Sequence, residues 1–199
     1  MPESVLVPGQ RDVRGSLDQA GTGSDAVVVA CPPHPEHGGT RHDARLTAVS
    51  DALTGAGIDC LRFDYGAWDE GHGEREDAHN AVAWARERYE RVGLFGYSFG
   101  ATIALLAAVE ANPGAVSALA PTASLAPDLD AVPALDAIDA PVQVVYGARD
   151  ATVDWEPVVE RALELDHRTD ELAADHFFVG QHTTVADRVS AFLVDIVAP

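Results

Sequence analysis

The chain has 199 residues, 47% of them hydrophobic, which suits one compact domain with a sizeable core and excludes a disordered chain. Its 32 acidic and 13 basic residues leave a net charge of −19, a surface that repels nucleic-acid phosphates and anionic lipid heads, so neither is expected as a partner. The acid is scattered and every basic residue is arginine, a balance that fits a protein kept soluble where salt screens its self-repulsion.

The opening stretch MPESVLVPGQ has neither the basic start nor the apolar core of a secretory signal. The longest apolar runs, such as Ile103–Val109, are too short to span a bilayer, and a cytoplasmic protein is expected. SVLVPG and DVRGSLDQ read as two strands joined by a Pro-Gly turn. AVVVAC (26–31) is a buried strand that ends at the stiff PPHP. DARLTAVSDALTGAG follows as a helix, with Asp43 as N-cap and Leu46, Val49, Leu53 and Ala56 on one face. Next come the strand IDCLRFDY (58–65) and the helix EREDAHNAVAWARERYE, with Ala78, Val82, Ala85 and Tyr89 in a stripe. The strand VGLFG, the helix FGATIALLAAVEAN and the strand AVSALAP continue the alternation. PVQVVYG (141–147), a helix near 155–165 capped by Asp154, a strand near 169–174 and a helix from about 183 complete it. That last helix is expected to turn Val185, Val189, Phe192 and Ile196 inward.

Alternation of this kind predicts an α/β fold, a mostly parallel central sheet with helices on both faces and the first two strands as an antiparallel edge. One domain is expected to span 1–199, with Cys31 and Cys60 as small buried hydrophobes and not as a disulfide.

The chemistry concentrates at Gly96-Tyr97-Ser98-Phe99-Gly100, a G-x-S-x-G run between a strand and a helix. Such a turn lifts the serine hydroxyl above the sheet edge and aims the helix N-terminus at charge developing beside it. A phosphate-holding turn is the rival, but GLFGYSFG has neither the G-x-G-x-x-G order nor a G-K-[ST] ending, and Gly21-Thr22-Gly23 precedes its strand. A serine needs a base, and the base needs a carboxylate to orient it. Asp150 closes VVYGARD at the C-terminal end of a strand, and His176 stands in AADHFF just beyond the next strand, on the same edge. His167 lies at the wrong end of that strand and His182 near a helix cap. Ser98, Asp150 and His176 are therefore the expected catalytic residues.

An oxyanion hole requires two N–H donors. Phe99, directly after the serine, supplies one; the loop PPHPEHGGT should supply the other. Pro35 has no N–H, which points to Glu36, with His37 as alternative. The same loop offers Cys31, His34, His37 and His42 to a cation, but C-x2-H-x2-H off a strand matches no common zinc spacing. Neither metal nor cofactor is expected. His34, His37, Trp68, Phe99, Phe177 and Phe178 are the candidate pocket walls.

With these motifs in order the chain resembles the α/β-hydrolase superfamily, and within it a compact, lidless, dienelactone-hydrolase-like branch of small bacterial and archaeal hydrolases. Members carry H-P-H-P-L-Y-G-G-T, a G-F-S-F-G elbow, a G-x-x-D corner and A-D-H-F-F; here these read PPHPEHGGT, GYSFG, GARD and ADHFF, with GHGE opening the second helix. The resemblance implies Ser98 as nucleophile, His176 as base and Asp150 as its orienter. Pro32 stands where the family's first loop histidine is usual, Glu36-His37 replace Leu-Tyr, and FDYGAWDEG is shorter than the family's loop. Dienelactone hydrolases proper use a cysteine nucleophile, so that substrate is not implied. The expectation is a serine hydrolase acting on small or medium carboxylic esters through an acyl-serine; the alternatives are a peptidase, thioesterase or amidase on the same triad, or a non-catalytic binding module on the same fold. PTASLAPDLDAVPALDAIDA (121–140) is too short for a full lid domain.

Overall fold

The computed structural model describes residues 2–21 and 23–198; Thr22 of the Gly21-Thr22-Gly23 run lies outside them. Two antiparallel strands, β1 (Glu3–Val7) and β2 (Val13–Asp18), open the chain, with Val7 opposite Val13. Strand β3 (Ala26–Cys31) is buried at every residue, as a central parallel strand covered on both faces must be. Then α1 (Ala44–Gly55), β4 (Asp59–Asp64), α2 (His72–Arg86), β5 (Arg91–Tyr97), α3 (Phe99–Ala111) and β6 (Ala115–Leu119) alternate. A short insert pairs β7 (Ser124–Ala126) with β8 (Leu129–Asp130) and adds the one-turn α4 (Ala131–Leu135). Strand β9 (Val142–Gly147), α5 (Glu156–Glu164), β10 (Arg168–Leu172) and α6 (His182–Val197) close the series.

The eight-stranded sheet runs β1-β2-β4-β3-β5-β6-β9-β10, antiparallel at β1/β2 and β2/β4 and parallel beyond. Successive residues of a strand face opposite sides, so Val27, Val29 and Cys31 join one core and Ala26, Val28 and Ala30 the other. Helices α2, α3 and α5 cover the first face; α1 and α6 cover the second. From β3 the chain steps to β4 on one side, then crosses back to β5 on the other. The C-terminal ends of β3 and β5 therefore flank a reversal of strand order, where an open α/β sheet leaves a crevice.

Three local expectations are corrected. Ala56 is exposed at the C-cap of α1 and not part of its buried face. Helix α2 starts at His72, within GHGE as the resemblance implies, because buried Glu74 accepts from the amides of Gly71 (2.8 Å) and Asp69 (3.0 Å) and closes its first turn. Asp154 does not cap α5, which starts at Glu156 with Trp155 at the N-cap. In α6, Leu193 and Val197 are buried with Val185, Val189 and Phe192, and Ile196 is only partly covered.

Candidate active site

The turn between β5 and α3 holds Ser98 at φ 57°, ψ −122°, a conformation that non-glycine residues rarely adopt. Its flanking glycines are required by space. A Cβ on Gly96 would lie 2.1 Å from the carbonyl oxygen of Gly100, and one on Gly100 would lie 2.3 Å from those of Cys31 and Pro32. The elbow is thus pressed against the end of β3. Ser98 donates its own amide to Leu119 on β6 (2.8 Å), which ties the turn to the neighbouring strand.

Asp150 and His176 follow the ends of β9 and β10. These two loops are drawn together at Gly147, where a Cβ would meet the carbonyl oxygen of Ala174 at 2.6 Å, and by the Arg149 amide donating to Ala174 (2.9 Å). Both side chains are buried. Oδ2 of Asp150 lies 2.7 Å from Nδ1 of His176, and Nε2 of His176 lies 2.9 Å from Oγ of Ser98. An ionised carboxylate only accepts, so Nδ1 carries the proton and Nε2 is left to accept from the serine hydroxyl. The other carboxylate oxygen, Oδ1, accepts from the Thr152 amide (2.8 Å) and fixes the carboxylate plane. The structure brings these three expected residues into one chain of hydrogen bonds; His167 and His182 do not line the cleft.

Two residues not singled out in the sequence hold the histidine loop. Tyr97 Oη donates to the carbonyl of His176 (3.0 Å), and Arg45 Nη1 donates to that of Phe177 (3.0 Å). The Arg45 guanidinium lies 4.4 Å over the Tyr97 ring and is paired with Asp43, the cap of α1. Burial pushes the Tyr97 phenol up to about 12, against the opposing pull of Arg45, so it stays a hydroxyl donor in ordinary buffers.

The second oxyanion donor is corrected. Glu36 does not line the cleft, and its amide donates to Nδ1 of His34 (3.3 Å) within the turn Pro35–His37. The amides of His37 (3.1 Å) and Gly39 (3.0 Å) donate to the His34 carbonyl, and that of Gly38 to Pro35 (3.2 Å). Pro32, Pro33 and Pro35 have no N–H. Among the described residues of this loop, the amides of His34 and Thr40 are left without an acceptor, and of these two residues only His34 lines the cleft. The Phe99 amide, at the first position of α3, likewise has no partner inside its helix.

The cleft above Ser98 has a volume of about 660 Å³ and is bounded by His34, His37, Phe99, Leu125 and Phe177, with Asp154 at its edge. His34 and His37 stack at 4.3 Å. Burial, then the neighbouring His37, lowers the pKa of His34 and favours its neutral ring. Phe177 is half exposed at the cleft, whereas Phe178 is fully buried in the core beneath and forms no wall. Trp68 lies 4.6 Å from His34 and 5.6 Å from Phe99, and lines an adjoining hollow. Cys31 is fully buried and its thiol pKa is pushed up by burial, so it faces the core and not the loop. Among the described residues no group of three His, Cys, Asp or Glu side chains gathers to hold a metal ion, and no helix is long and apolar enough to cross a membrane.

Residues 66–185 match the sequence model of the dienelactone hydrolase family. No curated protein matches the chain in sequence. Among solved structures, a serine hydrolase without a lid from Xanthomonas campestris is similar at TM-score 0.84 and 21% identity, over 100% of this chain and 96% of its own. An esterase from Pyrococcus furiosus is similar at TM-score 0.82 and 19% identity, over 100% and 92%. A dienelactone hydrolase from Anabaena variabilis is similar at TM-score 0.80 and 23% identity, over 99% and 98%. The fold they share with this chain is the α/β-hydrolase fold.

Proposed function

The chain belongs to the dienelactone hydrolase family of α/β hydrolases, and from that premise we propose that it is a serine carboxylesterase acting on small or medium esters. The observation that carries the reading is the hydrogen-bonded series Ser98–His176–Asp150, with distances of 2.9 and 2.7 Å. Ser98 Oγ attacks the ester carbonyl as Nε2 of His176 takes its proton. The imidazolium that forms is stabilised by Asp150 through Nδ1–H, and the carbonyl oxygen becomes an oxyanion. The amides of Phe99 and His34 are the donors for that oxyanion, since both are unspent and both border the cleft. His176 then protonates the departing alkoxide, leaving an acyl-serine and an alcohol. A water that loses its proton to Nε2 attacks the acyl carbon, and collapse releases the carboxylic acid and restores the Ser98 hydroxyl.

A cleft of about 660 Å³ suits an ester of modest size. The esterase from Pyrococcus furiosus among the structural relatives agrees with an ester substrate. The test is covalent labelling with a fluorophosphonate in concentrated KCl, the adduct mapped by mass spectrometry. Labelling at Ser98 that disappears in His176→Ala is expected. A folded protein that takes no label would overturn the hydrolase reading in favour of a binding module on the same fold. A panel of matched ester, thioester and amide substrates, with Ser98→Ala as control, should show the ester fastest.

A further inference from the structure

Beside the cleft lies a hollow of about 320 Å³ that the ester chemistry above does not use. It is lined by His34, Trp68, Glu70, Phe99, Leu125 and Ala126. Three of these, His34, Phe99 and Leu125, also bound the cleft, so the hollow opens one residue away from the nucleophile. Its floor and sides hold three rings in mutual contact, His34 to Trp68 at 4.6 Å, His34 to Phe99 at 4.9 Å and Trp68 to Phe99 at 5.6 Å. Trp68, 36% exposed, is available from solvent.

The charge of the hollow has one sign. Glu70 is exposed and its carboxylate enters no ion pair or hydrogen bond among the described residues. Arg11 is committed to Asp77 (2.8 Å), to Glu74 (3.4 Å) and to the carbonyl of Ala67, Arg45 to Asp43 and Phe177, and Arg75 does not line the hollow. The lowered pKa of His34 favours its neutral ring, and His37, stacked on it, lines the cleft and not the hollow. Across the cleft, Asp154 adds a second exposed carboxylate. Aromatic faces attract a cation through their quadrupole, and an alkylammonium also gains from the apolar contact that Leu125 and Ala126 offer.

We propose that this hollow is a subsite for a cationic, ammonium-bearing group, so that the enzyme prefers esters with a positive charge a few bonds from the scissile carbonyl and discriminates against carboxylate-bearing ones. The proposal rests on the esterase reading and deepens it. The net charge of −19 acts in the same direction, since the field of the whole molecule concentrates cations at its surface.

The experiment uses a matched pair of esters of one acid, the 2-(trimethylammonio)ethyl ester and its neutral isostere, the 3,3-dimethylbutyl ester. Both are run at the lowest KCl concentration that keeps the chain folded. The expected ratio of kcat/KM favours the cationic ester by roughly threefold to tenfold, mostly through KM. Glu70→Gln and Trp68→Leu, both at exposed positions, should each bring the ratio towards one, and added salt should erode the Glu70 share first. A ratio of one or below in the parent protein, with Ser98 still labelled by fluorophosphonate, overturns the cationic subsite and leaves the esterase reading standing. A cationic preference that survives both substitutions overturns the assignment to this hollow. Hydrolysis of neither ester together with absence of label in a folded protein overturns the esterase reading itself.

Discussion

Tyr97 and Arg45 have an outsize role for residues that do not touch the reacting atoms. The loop carrying His176 offers two successive carbonyls, and each is claimed by one of these side chains, Tyr97 at 3.0 Å and Arg45 at 3.0 Å. Removing one such bond lets the imidazole wander from the 2.9 Å contact with Ser98, and misplacement near 1 Å is costly in rate. Tyr97→Phe removes a single oxygen and keeps the ring stacked under the guanidinium. It should lower kcat by about tenfold with KM little changed, corresponding to the loss of about 1.4 kcal/mol of transition-state stabilisation. Arg45→Met should act likewise, and Arg45→Lys should recover part of the loss by restoring one donor to Phe177. Steady-state kinetics against a chromogenic ester reads all three. Unchanged kcat in a Tyr97→Phe enzyme would make the contact a matter of packing alone.

At the scale of elements, the elbow and the loop after β3 are a single assembly, because Gly100 brings α3 onto the carbonyls of Cys31 and Pro32. A methyl group at position 100 would stand 2.3 Å from two backbone oxygens that have nowhere to retreat. Gly100→Ala should therefore destabilise the fold by about 1–3 kcal/mol in denaturant unfolding, and the surviving folded protein should hydrolyse esters more slowly because His34 is pushed off its place. The serine, the aspartate and the histidine were legible in the chain because each follows its own strand directly, and parallel strands deliver their C-terminal ends to one edge. The alternation of strands and helices was legible for the same local reason. Proline spacing reveals which residues of the loop lack an N–H, but not which N–H groups are already spent. That choice depends on the turn at Pro35–His37, where the His34 ring captures the Glu36 amide. Tyr97 was visible as the second residue of G-x-S-x-G, yet its partner lies 79 residues away, and Arg45 reaches across 132. Contacts of that range leave no trace in periodicity. Phe178 resembles Phe177 in the sequence, and only the backbone, with φ 51° at Phe178, turns one ring into the core and leaves the other at the cleft.

For the whole molecule the surplus of carboxylates matters more than any single pair. Arginines are drawn into local pairs, such as Arg62 with Asp18 at 2.7 Å and Arg91 with Asp25 at 2.7 Å, and the remaining acid repels itself across the surface. Salt shortens the reach of that repulsion from about 10 Å at 0.1 M to about 3 Å at 1 M. The thermal midpoint should accordingly rise by several degrees between dilute buffer and molar KCl, followed by circular dichroism. A midpoint indifferent to KCl would mean that the self-repulsion is too weak to govern folding. The path of the chain has a practical corollary. Strand β1 runs in the same sense as β4 and so starts at the sheet edge remote from Ser98, while Arg91 at the foot of β5 grips the carbonyl of Ala198 at 2.8 Å. Both ends of the described chain thus emerge on the underside. Anything spliced to either end, whether an affinity handle, a neighbouring module or a bead, would dangle behind the molecule and leave the mouth of its cleft open.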